Sequence, residues 1–155
     1  MTTVGNIALL DQPKHGFLCS RTTASSAILP CLDWATEMAK GNVPVMSTFH
    51  SELESAVFDI LLRGTCPIIM VLGRSLYKSM PERLKSAMES ERLLLISVTK
   101  QSRISKESAF LANKYISENS TTITFGFLSK ESSLYPLYEK ATAKGVKCDM
   151  LTSKI

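Results

Sequence analysis

Several short stretches of the chain carry residue types suited to holding an anion. Cys19-Ser20-Arg21 joins a hydroxyl to a guanidinium just ahead of a hydroxyl-rich stretch, residues 22–26. If a helix begins there, its free N–H groups and partial positive charge act on the same anion. Ser47-Thr48-Phe49-His50-Ser51 gathers hydroxyls and an imidazole suited to phosphate, with a phenyl ring on which a base can stack. His50 has no acid or nucleophile beside it in sequence, so capping or packing fits it better than general-base catalysis. Gly73-Arg74-Ser75-Leu76 adds a glycine that permits close backbone approach and a further arginine. Each stretch also has a plainer reading, as helix capping or a tight turn with a solvated arginine.

Asn113 stands out for a different reason. It falls in the apolar series Ala109, Ala112, Asn113, Ile116, where a buried amide needs a partner. A backbone carbonyl, a ligand or a ligand-holding loop would each supply one, and a buried hydrogen bond is the expectation. Other chemistry is missing: the sequence holds neither GxGxxG nor a Walker motif. Cys19, Cys31, Cys66 and Cys148 lack the paired spacing of a zinc site. They read as reduced thiols, three of them within strand-like runs, and no metal or cofactor is implied.

Candidate groups become a site only if the fold brings them together. Short apolar runs at residues 16–19, 43–46, 66–72, 93–96, 122–127 and 146–151 read as strands. The run 66–72 (CPIIMVL) is apolar at every position, as a central parallel strand covered on both faces must be. Between the runs lie helical patterns. Ile28, Cys31, Leu32, Ala35, Met38 and Ala39 make one stripe at 3.6-residue spacing, with Pro30 in the first turn and Gly41 as the stop. Ser51 and Glu54 form a capping box ahead of the stripe Leu53, Ala56, Val57, Ile60, Leu61, which Gly64 closes. Ser79 and Glu82 suggest a second box for a helix through Met88, and Ser105 opens another through Ser117. Leu134, Leu137, Tyr138 and Ala141 form a last stripe, stopped by Gly145.

Strands alternating with helices in this way imply right-handed βαβ units: an α/β, Rossmann-like doubly wound parallel sheet with helices on both faces. At 155 residues one domain accommodates the chain, with residues 1–14 as a lead-in. Such sheets bind ligands outside the carboxyl ends of their strands, which is where the candidate stretches fall.

Composition narrows the setting. With 45% hydrophobic and 21% charged residues the chain is an ordinary globular sequence, which sets aside disorder and coiled coil. Its longest apolar run, residues 67–72, is too short to span a bilayer. The start lacks a basic segment and a long apolar stretch, so a cytoplasmic protein is expected. The net charge of +4 is concentrated: residues 74–106 hold eight Lys/Arg against three Glu. That segment is either a surface for phosphate-bearing partners or a solvated face.

Taken in order, the loops resemble the DNA-processing protein A (Smf) family, whose Rossmann-like domain is related to the LOG nucleotide hydrolases. The resemblance runs over about residues 16–151. Cys19-Ser20-Arg21 is similar to the family's Gly-Ser-Arg turn with the glycine replaced, and Leu72-Gly73-Arg74-Ser75-Leu76 to its Leu-Gly-Ser-Gly-Leu. Residues 47–52 stand where the family has Ser-Gly-x-Ala-x-Gly-Ile-Asp and keep only the serine. Ala112-Asn113 matches an Arg-Asn pair, without the arginine. The glycine-rich last loop, Pro-Gly-Gly-x-Gly-Thr-x-x-Glu in LOG enzymes, is here Leu128-Ser129-Lys130-Glu131-Ser132-Ser133. With no glycine its backbone cannot wrap a phosphate, although Ser129, Lys130 and Ser132 suit side-chain contact.

The resemblance implies a non-catalytic module that binds single-stranded DNA or nucleotide phosphates at the carboxyl edge. Ser20, Arg21, Ser47, Thr48, His50, Gly73, Arg74, Ser75, Asn113, Ser129 and Lys130 would form the site. A homo-oligomer, as a dimer, is expected. Two alternatives remain open: a LOG-like nucleotide phosphoribohydrolase, and a nucleotide-sensing or assembly subunit whose site has degenerated.

Overall fold

Proline sets where two of the strands begin. A computed structural model describes residues 1–21 and 23–152. Thr22, in the expected hydroxyl-rich start of the first helix, lies outside them. In chain order the elements are β1 (Thr2–Gly5), β2 (His15–Leu18), α1 (Ile28–Ala39), β3 (Val45–Ser47), α2 (Glu52–Arg63), β4 (Ile68–Leu72) and α3 (Glu82–Glu89). They continue with β5 (Leu93–Ser97), α4 (Lys106–Asn119), β6 (Thr122–Phe125), α5 (Leu134–Ala143) and β7 (Lys147–Met150). Short 3₁₀ turns at Ile7–Asp11 and Ser25–Ala27 precede β2 and α1. Pro44 and Pro67 have no N–H to give, so β3 and β4 start one residue after them, later than the apolar runs suggest.

The strands form one sheet in the order β1-β5-β4-β3-β2-β6-β7. All neighbouring pairs are parallel except β1 with β5. This is the expected Rossmann-like architecture, with β4 inside the sheet between β3 and β5. Its side chains alternate between two cores. Ile68, Met70 and Leu72 pack with Cys31, Ala35, Val57, Phe58, Leu61, Leu84 and Ala87 of α1, α2 and α3. Ile69 and Val71 pack with Ala112, Ile116, Leu134, Leu137 and Ala141 of α4 and α5. Among the described residues no helix is long and apolar enough to cross a membrane.

Four readings are corrected. Residues 1–14 are more than a lead-in: β1 extends the sheet antiparallel to β5, and Leu9 is buried in the α4/α5 core. Ile28, the first residue of α1 directly after a 3₁₀ turn, is exposed rather than part of the buried stripe. Ser79 does not cap α3: the helix begins at Glu82 with Pro81 at the cap position and no side-chain cap bond. Cys19 and Cys66 lie just outside β2 and β4 rather than within them, while Cys148 is in β7, and all four thiols are free. The Ser51/Glu54 box forms in full and Gly145 stops α5 at φ +86°.

Gly126, immediately after β6, is held by packing. A Cβ there would lie 2.6 Å from Cys31 Sγ and 3.0 Å from the Phe17 ring, which is itself stacked on Trp34 at 4.8 Å. Both neighbours are fully buried, so Gly126→Ala should cost about 1–3 kcal/mol through overpacking. Denaturant unfolding should show the loss shrinking in a Cys31→Ala background. An equal loss in both backgrounds would refute the packing explanation.

Candidate functional site

The turn from β3 into α2 is organised by a buried carboxyl group. Ser51 starts α2, and its Oγ accepts the Glu54 N–H at 3.3 Å, so the helix directs Glu54 back along the turn. There Glu54 Oε1 accepts three hydrogen bonds: Thr48 Oγ1 at 2.7 Å, the His50 N–H at 3.0 Å and the Ser51 N–H at 3.3 Å. Glu54 is 3% exposed. Burial pushes its carboxyl above the ordinary glutamate value, and these hydrogen bonds oppose the shift without cancelling it. The turn also requires Phe49 at φ +51°, a left-handed conformation that a bulky residue rarely adopts. Two contacts hold it: the Phe49 N–H donates to Ser47 Oγ at 3.3 Å, and its ring lies 4.8 Å from that of Phe58.

The neighbouring loops are tied in the same manner. The Ser129 N–H donates to Ser20 Oγ at 3.1 Å, joining the loop after β6 to the loop after β2. Thr23 Oγ1 donates to the Ser20 carbonyl at 2.6 Å. After β4, Ser97 Oγ donates to the Arg74 carbonyl at 2.6 Å, and the Ser75 N–H donates to the Gln101 carbonyl at 2.6 Å. A Cβ on Gly73 would come within 3.0 Å of the Ser108 carbonyl, so glycine is needed there to admit the first turn of α4.

Between these loops lies a cleft in two adjoining compartments that share Thr48, His50, Gly73 and Ile104. The inner one, about 60 Å³, is lined further by Cys19, Arg21, Ser51, Glu54, Ala109, Ala112 and Asn113. The outer one, about 230 Å³, opens toward α2 and α3, with Phe58, Met70, Leu72 and Leu84 below and Ser55, Arg74, Tyr77 and Arg83 around it. Arg74 is half-buried, its Nε donates to the Ser75 carbonyl at 3.0 Å, and its guanidinium lies 4.9 Å from the centre of the Tyr77 ring. Among the described residues neither Arg21 nor Arg74 has a carboxylate partner. Arg83 differs: it pairs with Asp59 at 2.6 Å and lies 5.0 Å from the Phe58 ring centre.

The fold thus brings Arg21, Thr48, His50, Gly73, Arg74 and Asn113 around one cleft. It does not bring all the expected residues there. Ser20 and Ser47 are buried and occupied in holding the loops, and Ser75 is tied to Gln101. Ser129 and Lys130 lie outside the lining of both compartments, with Ser129 Oγ donating to Glu131 Oε2 at 2.6 Å. Asn113 is half-buried and lines the inner compartment, and its amide makes no hydrogen bond among the described residues, so the expected buried bond is not there. Glu54, Tyr77 and Arg83 were not anticipated. The capping box signalled that Glu54 reaches back, but nothing local to it signals burial.

No protein-family model and no curated protein matches the sequence. The fold is similar to that of DNA processing protein A from Streptococcus pneumoniae, with TM-score 0.78 and 17% identity over 99% of this chain. The match spans only 55% of that longer protein. It is likewise similar to DNA processing protein A from Helicobacter pylori, which binds single-stranded DNA, with TM-score 0.75 and 18% identity. There the match covers 99% of this chain and 72% of the other. The resemblance read from the loops is therefore met at the level of the fold.

The buried carboxyl generates a pH test. A raised folded-state value makes the protonated form the better accommodated one, so that contribution is complete below the ordinary value of 4.5 and is lost as pH rises through the raised value. Glu54→Gln keeps an oxygen acceptor and does not titrate. Its denaturation midpoint relative to the parent protein should therefore rise as pH increases from about 4.5 toward neutrality. A gap that is flat, or that moves the other way, would show that burial does not penalise the charged form.

Proposed function

We propose that this chain is a non-catalytic module that binds single-stranded DNA, holding its phosphates at the carboxyl edge of the sheet. The observation that carries the reading is the Arg74 guanidinium. It is half-buried at the mouth of a cleft, fixed by the Tyr77 ring and a backbone carbonyl, and lacks a carboxylate partner among the described residues. A cation removed from water and left without an anion from its own chain is arranged to receive one from outside. Arg21 supplies a second charge at the inner compartment, and Thr48 and His50 stand between the two.

The similarity of fold to the single-stranded DNA-binding protein of Helicobacter pylori supports this choice of anion. So does the basic segment 74–106, in which Lys78, Lys100, Arg103 and Lys106 also lack carboxylate partners among the described residues. The non-catalytic part of the reading rests on Glu54. It is the only acid lining the inner compartment among the described residues, and its Oε1 is committed to three donors that shape the turn.

Fluorescence polarisation with labelled single-stranded DNA, duplex DNA and mononucleotides at low and high salt tests the proposal. Binding should weaken as salt rises, because each phosphate contact releases a condensed counterion. Arg21→Ala and Arg74→Ala should each flatten the single-strand salt slope by about 0.7. Each should weaken binding by about 1.5–3 kcal/mol where the contact is desolvated, and by less for the exposed Arg21. If neither change alters affinity or slope for any of these ligands, the edge site is wrong.

A further inference from the structure

Two of the four free thiols are neighbours in space. Cys19, directly after β2, and Cys31, in the first turn of α1, pack in one core, and their side chains lie within hydrogen-bonding reach of each other. Cys31 Sγ occupies the room left by the missing side chain of Gly126, and Cys19 Sγ lies 3.6 Å from Thr23 Oγ1. A tetrahedral metal needs further ligands, and no group of three or more His, Cys, Asp or Glu gathers to hold one among the described residues. The four thiols differ in reactivity, because the thiolate is the nucleophile. The hydrogen bond with Cys31 outweighs burial and holds the Cys19 thiol below its ordinary value, while the same bond and burial push Cys31 up. Burial pushes Cys66 and Cys148 up as well. Cys19 is also the one cysteine among the described residues that lines the cleft.

We propose that Cys19 and Cys31 form an oxidation site, at which Cys19 meets a small peroxide entering through the inner compartment and Cys31 closes a disulfide with it. The proposal goes beyond strand binding and does not depend on it. The inner compartment, at about 60 Å³, has space for such an oxidant, since a water molecule needs only about 10–15 Å³. In the first step the Cys19 thiolate attacks one oxygen of hydrogen peroxide: an S–O bond forms, the O–O bond breaks, and the hydroxide that leaves takes up the proton Cys19 released. The Cys19 sulfur is then a sulfenic acid. In the second step the Cys31 sulfur attacks it, the S–O bond breaks, and the Cys31 thiol proton leaves with the hydroxyl as a second water. Two electrons have passed from the pair of sulfurs to the peroxide, and a thiol reductant reverses the change by exchange. The bond ties the loop after β2, which carries Ser20 and Arg21, to α1, beside the Glu54 carboxyl that lines the same compartment.

The test uses the full chain, reduced, freed of reductant and treated with hydrogen peroxide under native conditions. Remaining thiols are then blocked with N-ethylmaleimide in denaturant and mapped by mass spectrometry. The parent protein should lose two hydrogen atoms, join its Cys19 and Cys31 peptides within one chain, and recover both thiols with dithiothreitol. Cys66 and Cys148 should still take the label in full. Cys31→Ser keeps a hydrogen-bond donor but cannot close the disulfide, so it should hold Cys19 as a sulfenic acid that dimedone traps. Cys19→Ser should show neither the disulfide nor dimedone on Cys31. Oxidation of Cys66 or Cys148 ahead of Cys19 overturns the proposal, as does a bond between Cys19 and Cys31 that forms only in denaturant. A disulfide between two copies of the chain overturns it too. Mapping of the parent protein decides among these outcomes even if a serine variant does not fold. None of the readouts uses DNA, so strand binding stands or falls separately.

Discussion

The buried carboxylate of Glu54 is the interaction on which the cleft depends. Removing a charge of this kind from water is costly, and the cost is tolerated only where donors replace the lost hydration. Here Thr48, His50 and Ser51 supply them from a single turn. The consequence is positional. With its amides drawn toward the carboxylate, the turn carries Phe49 through a left-handed conformation and seats it against Phe58. Phe58 in turn underlies the Arg83 guanidinium and forms part of the outer floor. One acid on the first turn of α2 thus sets the shape of both compartments, although it presents no positive charge to either.

The arginines of the basic segment are not equivalent, because their surroundings differ. Arg92 donates to the carbonyls of Leu61, Leu62 and Cys66, capping the carboxyl end of α2 where the helix dipole favours a cation. Arg83 is paired with Asp59, and Lys85 with Glu82. Those charges are part of the architecture, and counting them as a binding surface would overstate it. Arg74 is held as firmly, but by a ring and one backbone carbonyl, neither of which neutralises it. Fixing a cation without cancelling its charge keeps the guanidinium oriented, so in the proposed reading less freedom would be lost on binding.

The sequence disclosed the frame of the fold and only part of the site, for physical reasons that can be traced to individual residues. The apolar run at residues 66–72 pointed to an interior strand, because no polar face was available for water, and Ile68–Leu72 form it. The Ser51/Glu54 box was legible because its two bonds are local. By contrast β1, reading TTVG, has no apolar alternation: it joins the sheet mainly through its ladder with β5, and backbone bonding leaves little mark on side-chain pattern. Ser20 and Ser47 had the right chemistry for phosphate, but their hydroxyls are engaged with Ser129 and Phe49. Tyr77 and Arg83 became visible only in three dimensions, since each matters through a partner on another element or across a turn.

These ties also bear on how a phosphate can be held. A glycine-rich loop grips phosphate with its own amides, because nothing projects between backbone and ligand. In this chain the corresponding backbone is already engaged: the amides of His50 and Ser51 point to Glu54, that of Ser75 to the Gln101 carbonyl, and that of Ser129 to Ser20. Even the one retained glycine, Gly73, uses its missing side chain to admit α4 rather than a ligand. The groups this edge offers are therefore mostly side chains that reach past the locked loops, the arginines at positions 21 and 74 among those lining the cleft. Side-chain contact of this kind is less exacting in geometry than a backbone cradle. Under the proposed strand-binding reading it would suit a repeating polyanion, whose phosphates can shift along the cleft, better than a single phosphate that must be held at one point.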